Sequence, residues 1–299
     1  MTEAVALRSP SELLRISQDE ADELLDFLEK SVPVRPPLVE LPEPTAEEAI
    51  VFGDTHGDWR STEELVREYR EGNRCLVGLG DYVDRPPDDC GPGSVANALY
   101  LLELTAESPG RVLLIQGNHE VVRRIPAIPH HLPDEVDELW GPDSTRYDRL
   151  LALLERGPLA VTTPNGVYLA HAGFPRGKLP IPWTAAFATI GEERLAELTW
   201  AECDASHIRR GAARPWSGRD LDEFLRQTGL QIFLRGHDPD VTGRPLYSGR
   251  CLTLHTSRIY ERYGGVIAAR FSLHAALGSV ADMMVEHLPT EGRSFPSPV

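Results

Sequence analysis

The chain has 299 residues, of which 41% are hydrophobic and 25% are charged, and a chain of this length can bury a large core without disulfides. Its formal net charge of −16 argues against a nucleic-acid-binding protein, which would present a basic face, and against binding to an anionic membrane surface. No apolar run reaches the ~18 residues that a membrane-spanning helix needs. An anionic substrate is compatible with this charge, because bound metal ions can reverse the local field.

The first predicted element is an amphipathic helix at residues 17–30, where leucines recur at helical spacing behind an acidic first turn. Five prolines between residues 32 and 44 exclude a continued helix. Disorder is one interpretation of this segment, and the alternation at 38–41 favours an extended strap lying on the core. We therefore divide the chain into a helix and strap at 1–46, a main domain at 47–289 and a loose tail at 290–299.

Strand, polar loop and helix then alternate along the chain. Short apolar runs predict strands at 49–52, 75–79 and 111–115, and helical patterns predict helices at 61–69 and 94–105. The second half of the chain is less regular. It predicts helices at 147–155 and 221–227, and strands at 166–170, 231–234, 251–254 and 265–270. The alternation is typical of a mostly parallel sheet in an α/β fold.

Five of these strands end in a cluster of Asp, Asn or His next to a glycine, at the strand ends where α/β sheets bind their ligands. The candidate residues are Asp54, His56, Asp81, Asn118, His119, His171 and His237. Oxygen and imidazole donors without thiolates suit Mn, Fe or Zn, and would suit a structural zinc site poorly. Two divalent ions that share one carboxylate need about six such ligands and form a clamp for phosphoryl transfer.

Each candidate alone has a plainer explanation. Aspartates that follow strands often cap helices, and a single histidine is more often a surface or core residue than a ligand. We assign the plainer role to His130, His131, His207, His274 and His287. Five clusters in the same topological position, beside glycines that leave room for a metal, favour the metal site for the other residues.

The cysteines show neither a zinc site nor a redox motif. No pair has the C-x-x-C spacing of such sites. We expect free thiols in a reducing cytoplasm, which is the predicted location of the protein. The four residues are Cys75, Cys90, Cys203 and Cys251.

Three segments resemble the signature motifs of metallophosphoesterases. Residues 53–57 read Gly-Asp-Thr-His-Gly, residues 80–85 read Gly-Asp-Tyr-Val-Asp-Arg, and residues 117–120 read Gly-Asn-His-Glu. The last two are similar to the phosphoprotein phosphatases, the calcineurin-type serine/threonine phosphatases. An apolar-Trp segment at 198–200, then Arg-Gly at 210–211 and Arg-Gly-His at 235–237 follow in the order of that family, so the resemblance covers roughly residues 21–271.

The resemblance implies a four-layer α/β/β/α metallophosphoesterase sandwich, with the catalytic domain at 47–289. It implies a protein serine/threonine phosphatase that hydrolyses phosphomonoesters by direct attack of a metal-bridging hydroxide. The expected cofactors are two divalent metal ions, manganese first and iron or zinc as alternatives. The expected partners are phosphorylated proteins or peptides, with no nucleic acid and no membrane, and the oligomeric state stays open.

The family roles transfer to matching positions. Asp54 and His56 would bind the first metal, and Asp81 would bridge both. The second metal would be bound by Asn118, His171 and His237. His119 would protonate the leaving group, with Asp84 as its orienting carboxylate. The substrate-binding residues would be Arg85, Arg210 and Tyr260, with Arg209 as a rival to Arg210.

The sequence departs from the family in two places. Pro86–Gly93, which we name the motif-two loop, replaces the glycine that normally follows the motif-two arginine. Around Tyr260 the sequence is also unusual, and His255 either packs in the core or faces the site. Two alternative functions stay open: a diadenosine tetraphosphate hydrolase, and a non-catalytic binding scaffold on the same fold. Asp84 before Arg85 favours the protein phosphatase.

Overall fold

A computed structural model describes residues 7–41, 46–70, 72–142 and 144–288. The described helices are α1 (Pro10–Leu13), α2 (Gln18–Ser31), α3 (Trp59–Tyr69), α4 (Gly93–Glu107), α5 (Leu132–Trp140), α6 (Ser144–Leu154), α7 (Glu192–Trp200) and α8 (Gly218–Thr228). The described strands are β1 (Leu38–Glu40), β2 (Glu48–Phe52), β3 (Arg74–Gly78), β4 (Val112–Leu114), β5 (Ala160–Thr162), β6 (Val167–Ala170), β7 (Ile232–Arg235), β8 (Cys251–Thr253), β9 (Ile267–Ser272) and β10 (Met284–His287).

The strands form two five-stranded sheets. Sheet I has the order β1-β5-β6-β7-β8, and sheet II has the order β10-β9-β2-β3-β4. The strands that precede the candidate clusters are parallel within each sheet, β2-β3-β4 in one and β6-β7-β8 in the other. Both sheets are nevertheless mixed, because β5 runs antiparallel to β6 and β9 runs antiparallel to β2.

Successive side chains of a strand point to opposite faces of the sheet, so they pack into two different cores. In β2, Ala49 and Val51 face the core between the two sheets, whereas Ile50 and Phe52 face the core under the N-terminal helices. In sheet I, Tyr168 and Phe233 face a third core that includes side chains of α7 and α8. The layers are therefore helix, sheet, sheet and helix, which confirms the predicted four-layer sandwich.

The N-terminal helix α2 packs its apolar face into the core of sheet II. Its first turn is capped by Ser17, whose hydroxyl accepts the Glu20 N–H while the Glu20 carboxylate accepts the Ser17 N–H. Leu25 and Leu28 are fully buried in the core cluster under α4 and α6.

The strap is partly a strand, because Leu38–Glu40 pairs in parallel with Ala160–Thr162. Residues 42–45 and the predicted tail at 290–299 lie outside the described residues, and the division of the chain at residues 46 and 289 stays a prediction. Among the described helices, none is both long and apolar enough to cross a membrane.

Candidate active site

The candidate residues from both sheets meet where the carboxyl ends of their strands meet. Sheet II contributes the residues that follow β2, β3 and β4, and sheet I contributes those that follow β6 and β7. The chain turns sharply there, since several site residues have positive φ, which non-glycine residues rarely adopt outside strained functional sites. These are His56 (44°), Asp81 (56°), Asp84 (68°), Arg85 (56°) and His237 (72°).

Two glycines leave the space in which the site residues meet. Gly80 has φ of +106°, and a Cβ atom there would lie 2.5 Å from the backbone nitrogen of Gly117. A Cβ atom on Gly236 would lie 2.1 Å from Oδ1 of Asp54. Any larger residue at these positions would push the motifs apart.

The first cluster forms around His56. Its Nδ1 atom donates to the carbonyl of Val83 at 2.8 Å, which leaves Nε2 as the nitrogen that can act as a ligand. This atom lies 3.6 Å from Oδ2 of Asp81 and 3.9 Å from Oδ2 of Asp54. Burial, and then the neighbouring Arg85, holds the pKa of His56 well below its usual value, so the imidazole stays neutral.

The second cluster forms around His171. Its Nδ1 atom donates to the carbonyl of Leu79 at 2.9 Å, so Nε2 is again the nitrogen that can act as a ligand. That atom lies 3.0 Å from Oδ1 of Asn118, 3.2 Å from Nδ1 of His237 and 3.5 Å from Oδ2 of Asp81. Burial, and then Arg210, lowers the pKa of His237 well below its usual value. Asp81 is thus common to both clusters.

The Asp81 loop is held by Glu120, a residue of the third motif that was not among the predicted site residues. Oε2 of Glu120 accepts the N–H groups of Asp81 and Gly117, both at 2.8 Å, and Oε1 accepts that of Tyr82 at 2.9 Å. One fully buried carboxylate therefore ties the second motif to the third.

His119 lies beside the clusters and is paired with Asp84. Its Nδ1 atom is 2.5 Å from Oδ2 of Asp84, and its Nε2 atom is 4.0 Å from Oδ2 of Asp81. Burial opposes ionisation of Asp84, but hydrogen bonds from His119 and His130 outweigh it and hold the pKa of this carboxyl well below its usual range. His130, which we had assigned a plain surface or core role, contacts Asp84 at 2.8 Å.

Two arginines border the clusters on different sides. Nη2 of Arg85 lies 2.5 Å from Nε2 of His56, and Nη1 of Arg210 lies 3.2 Å from Nε2 of His237. Arg209 turns away, since its guanidinium donates to the backbone carbonyls of residues 204, 206 and 208. The structure brings Arg210, and not its neighbour, to the site.

His255 is both buried and in contact with the site, so the two interpretations of this residue were not exclusive. Its Nδ1 atom lies 2.8 Å from the hydroxyl of Thr242, and its Nε2 atom lies 3.2 Å from Oδ2 of Asp54. Tyr260 packs against His255 and His56, with its ring centre 4.4 Å from that of His255 and 5.7 Å from that of His56.

The motif-two loop is held against the first motif by Arg258. The Arg258 guanidinium donates to Oδ1 of Asp58 and to Oδ2 of Asp89, each at 2.8 Å. Because Arg258 lies two residues before Tyr260, this pairing connects the loop, the first motif and the Tyr260 segment. The loop is therefore fixed at the rim of the site.

The donor set fits divalent cations. In each cluster an imidazole Nε2 atom faces carboxylate or amide oxygens at 3.0–3.9 Å. Acceptors that face each other in a buried site repel unless a proton or a cation lies between them. Oxygen and imidazole donors are the ligands that Mn, Fe and Zn accept.

The family model described as calcineurin-like phosphoesterase matches residues 49–240. A probable serine/threonine-protein phosphatase of Encephalitozoon cuniculi is 28% identical over 255 residues, which are 81% of this chain and 53% of that protein. The serine/threonine-protein phosphatase 4 catalytic subunit of Kluyveromyces lactis is 26% identical over 233 residues, which are 73% of this chain and 72% of that protein. The chain thus spans about half the length of the first relative.

Among solved structures, a protein serine/threonine phosphatase of Saccharomyces cerevisiae matches with a TM-score of 0.74 at 20% identity, covering 94% of this chain and 92% of that chain. A putative diadenosine tetraphosphatase matches with a TM-score of 0.50 at 18% identity, covering 84% and 98% of the two chains. At these identities the structural matches establish the fold.

The contact between His255 and Asp54 predicts an effect on metal binding. We expect His255→Phe to weaken the affinity for Mn²⁺ by about 10–100-fold, because the buried Asp54 carboxylate loses its polar neighbour at 3.2 Å. Calorimetric titration of metal-depleted protein measures this affinity. His274→Phe, at an exposed histidine outside the site, is the matched control. Unchanged affinity in a folded His255→Phe variant would assign His255 to core packing alone.

Proposed function

The chain belongs to the calcineurin-like phosphoesterase family, and from this premise we propose that it is a metal-dependent protein serine/threonine phosphatase. Two curated relatives that are named as serine/threonine-protein phosphatases, and that match across 73–81% of this chain, support the proposal. A short Asp84–His119 pair beside two clusters that share Asp81 is the observation that carries it.

The two clusters would hold two divalent ions. Asp54 and His56 would bind one ion and Asp81 both, and the ligands of the other would be Asn118, His171 and His237. When bound, the ions would act as Lewis acids toward the phosphate and would lower the pKa of a water molecule. We propose manganese as the native pair, with iron and zinc as alternatives, because the donors are oxygen and imidazole without thiolate.

The arginines would bind the phosphate. One guanidinium lies beside each cluster, Arg85 next to His56 and Arg210 next to His237, so a phosphate that contacts both clusters would have a guanidinium beside each. A planar guanidinium binds phosphate oxygens in a bidentate manner. Arg210 is held by Glu202, which accepts its backbone N–H at 2.7 Å. Tyr260 would form one wall of the substrate site.

His119 would give its proton to the leaving oxygen. Because Nδ1 faces Asp84, the Nε2 atom is the one turned toward Asp81 and the clusters. The carboxylate fixes the orientation of the imidazole, and a general acid must be positioned in this way to transfer its proton. A serine or threonine alkoxide leaves slowly without such a proton.

We propose phosphorylated proteins or peptides as the substrates and the cytoplasm as the location. The four cysteines are buried free thiols, and reduced thiols are typical of a cytoplasmic protein.

The substrate class is the test of this proposal. With Mn²⁺ at equal salt, we expect kcat/KM for a phosphothreonine peptide to exceed that for diadenosine tetraphosphate by at least about tenfold, or roughly 1.4 kcal/mol in transition-state stabilisation. The acidic chain disfavours a polyanion away from the metals, so basic residues beside the phosphothreonine should increase the rate. A better rate with the dinucleotide would reject the protein-phosphatase proposal and leave the family assignment intact.

The general acid is tested by leaving-group dependence. His119→Ala should lower kcat/KM for a phosphothreonine peptide by roughly 10²–10⁴-fold. It should affect p-nitrophenyl phosphate far less, because nitrophenolate leaves without a proton. Steady-state rates on both substrates, with metal content measured in parallel, decide the point. Equal losses with the metals retained would instead indicate a structural role for His119.

A further inference from the structure

The carboxylate of Asp84 is shared by two histidines. Oδ2 lies 2.5 Å from Nδ1 of His119 and 2.8 Å from Nδ1 of His130. Oδ1 accepts the backbone N–H groups of His131 at 2.6 Å and Leu132 at 2.9 Å. The Asp84 side chain is fully buried, so these protein groups surround a carboxylate that must stay charged to serve His119.

We propose that His130 is a positioning residue, which fixes the Asp84 carboxylate and through it the imidazole of His119 for protonation of the leaving group. This inference rests on the proposed role of His119 as the acid. The two ring nitrogens of His130 contact Asp84 and Tyr147 of α6 rather than a residue of the two clusters.

The second ring nitrogen of His130 determines how it bonds to Asp84. Nε2 lies 2.9 Å from the hydroxyl of Tyr147, a phenol whose pKa is raised, chiefly by burial. The phenol can therefore donate to Nε2, and His130 then presents an Nδ1–H to the Asp84 carboxylate.

Asp84, His119 and His130 lie close enough together to hold one metal ion, but the distances between their atoms favour hydrogen bonds. Ligand atoms that bind zinc at 2.0–2.2 Å in a tetrahedron lie about 3.4 Å apart. The two contacts here are 2.5 and 2.8 Å, both well below that spacing, and 2.8 Å is the length of a charge-assisted hydrogen bond.

Residues of α4 and α5 hold Asp84 in this position. His130 and His131 directly precede α5, so the carboxylate lies at the N-terminus of that helix. The backbone N–H of Asp84 donates to Ser94 at 2.8 Å, and the Ser94 hydroxyl donates to Glu135 of α5 at 2.6 Å. Asp84 is thereby fixed from its backbone and from both carboxylate oxygens.

Three variants test the proposal on Mn²⁺-loaded enzyme with a phosphothreonine peptide and p-nitrophenyl phosphate. His130→Leu removes the donor, and we expect about a tenfold loss of kcat/KM on the peptide and less than about a twofold loss on the nitrophenyl ester. His130→Asn places an amide N–H at the Nδ1 position and should restore the peptide rate to within about threefold of the wild-type value. His274→Leu, at an exposed site, is the control and should change neither rate.

Equal losses on both substrates, no loss on either, or an Asn variant as poor as the Leu variant would overturn the proposal. Should His130→Leu not fold, His130→Gln replaces it, because the longer side chain carries its amide past the Nδ1 position. His119→Ala, measured alongside, distinguishes a failure of the proposed acid, His119, from a failure of the positioning role of His130. If that variant shows no leaving-group dependence, the proposed acid is at fault and the role of His130 falls with it.

Discussion

The carboxylate of Asp81 lies between two groups of imidazoles, one following strands of each sheet, and the arrangement of the site depends on how it is held. Its loop follows β3 with a positive φ and is tied to the third motif by the N–H groups of Asp81 and Tyr82, which both donate to Glu120. The sandwich brings the carboxyl ends of parallel strands from both sheets to this point. A shift of one sheet relative to the other would move His56 or His171 away from the Asp81 carboxylate that both now approach.

The buried charges explain why the site needs cations. Asp54, Asp81 and Asp84 are almost fully buried in a chain whose net charge is −16, and buried carboxylates are costly unless they are paired. Asp84 is compensated by two histidines and two backbone N–H groups, whereas Asp81 accepts one backbone N–H at Oδ1 and its Oδ2 faces imidazole nitrogens at 3.5–3.6 Å. That difference separates the Asp84–His119 pair, for which we propose acid–base chemistry, from the part that suits metal ions.

Much of the fold and of the site was predictable because short apolar runs end abruptly at glycine and polar residues. Those breaks located β2, β3, β4, β6 and β7, and the candidate residues beside them. By contrast, β5 and β10 have only three and four residues, a length at which periodicity gives a weak signal. His130 was also missed, because its role depends on where α5 and α6 place it against Asp84, and its immediate sequence carries no signal of this.

The most direct test of the account is the metal content of Asp81→Asn, since one carboxylate is argued to serve two ions. After reconstitution with Mn²⁺, elemental analysis of the wild-type protein and of Asp88→Asn, an exposed aspartate in the motif-two loop, should give two ions per chain, as two-metal sites hold. Asp81→Asn should lose both ions together with nearly all activity. Two ions per chain retained in that variant would contradict the account.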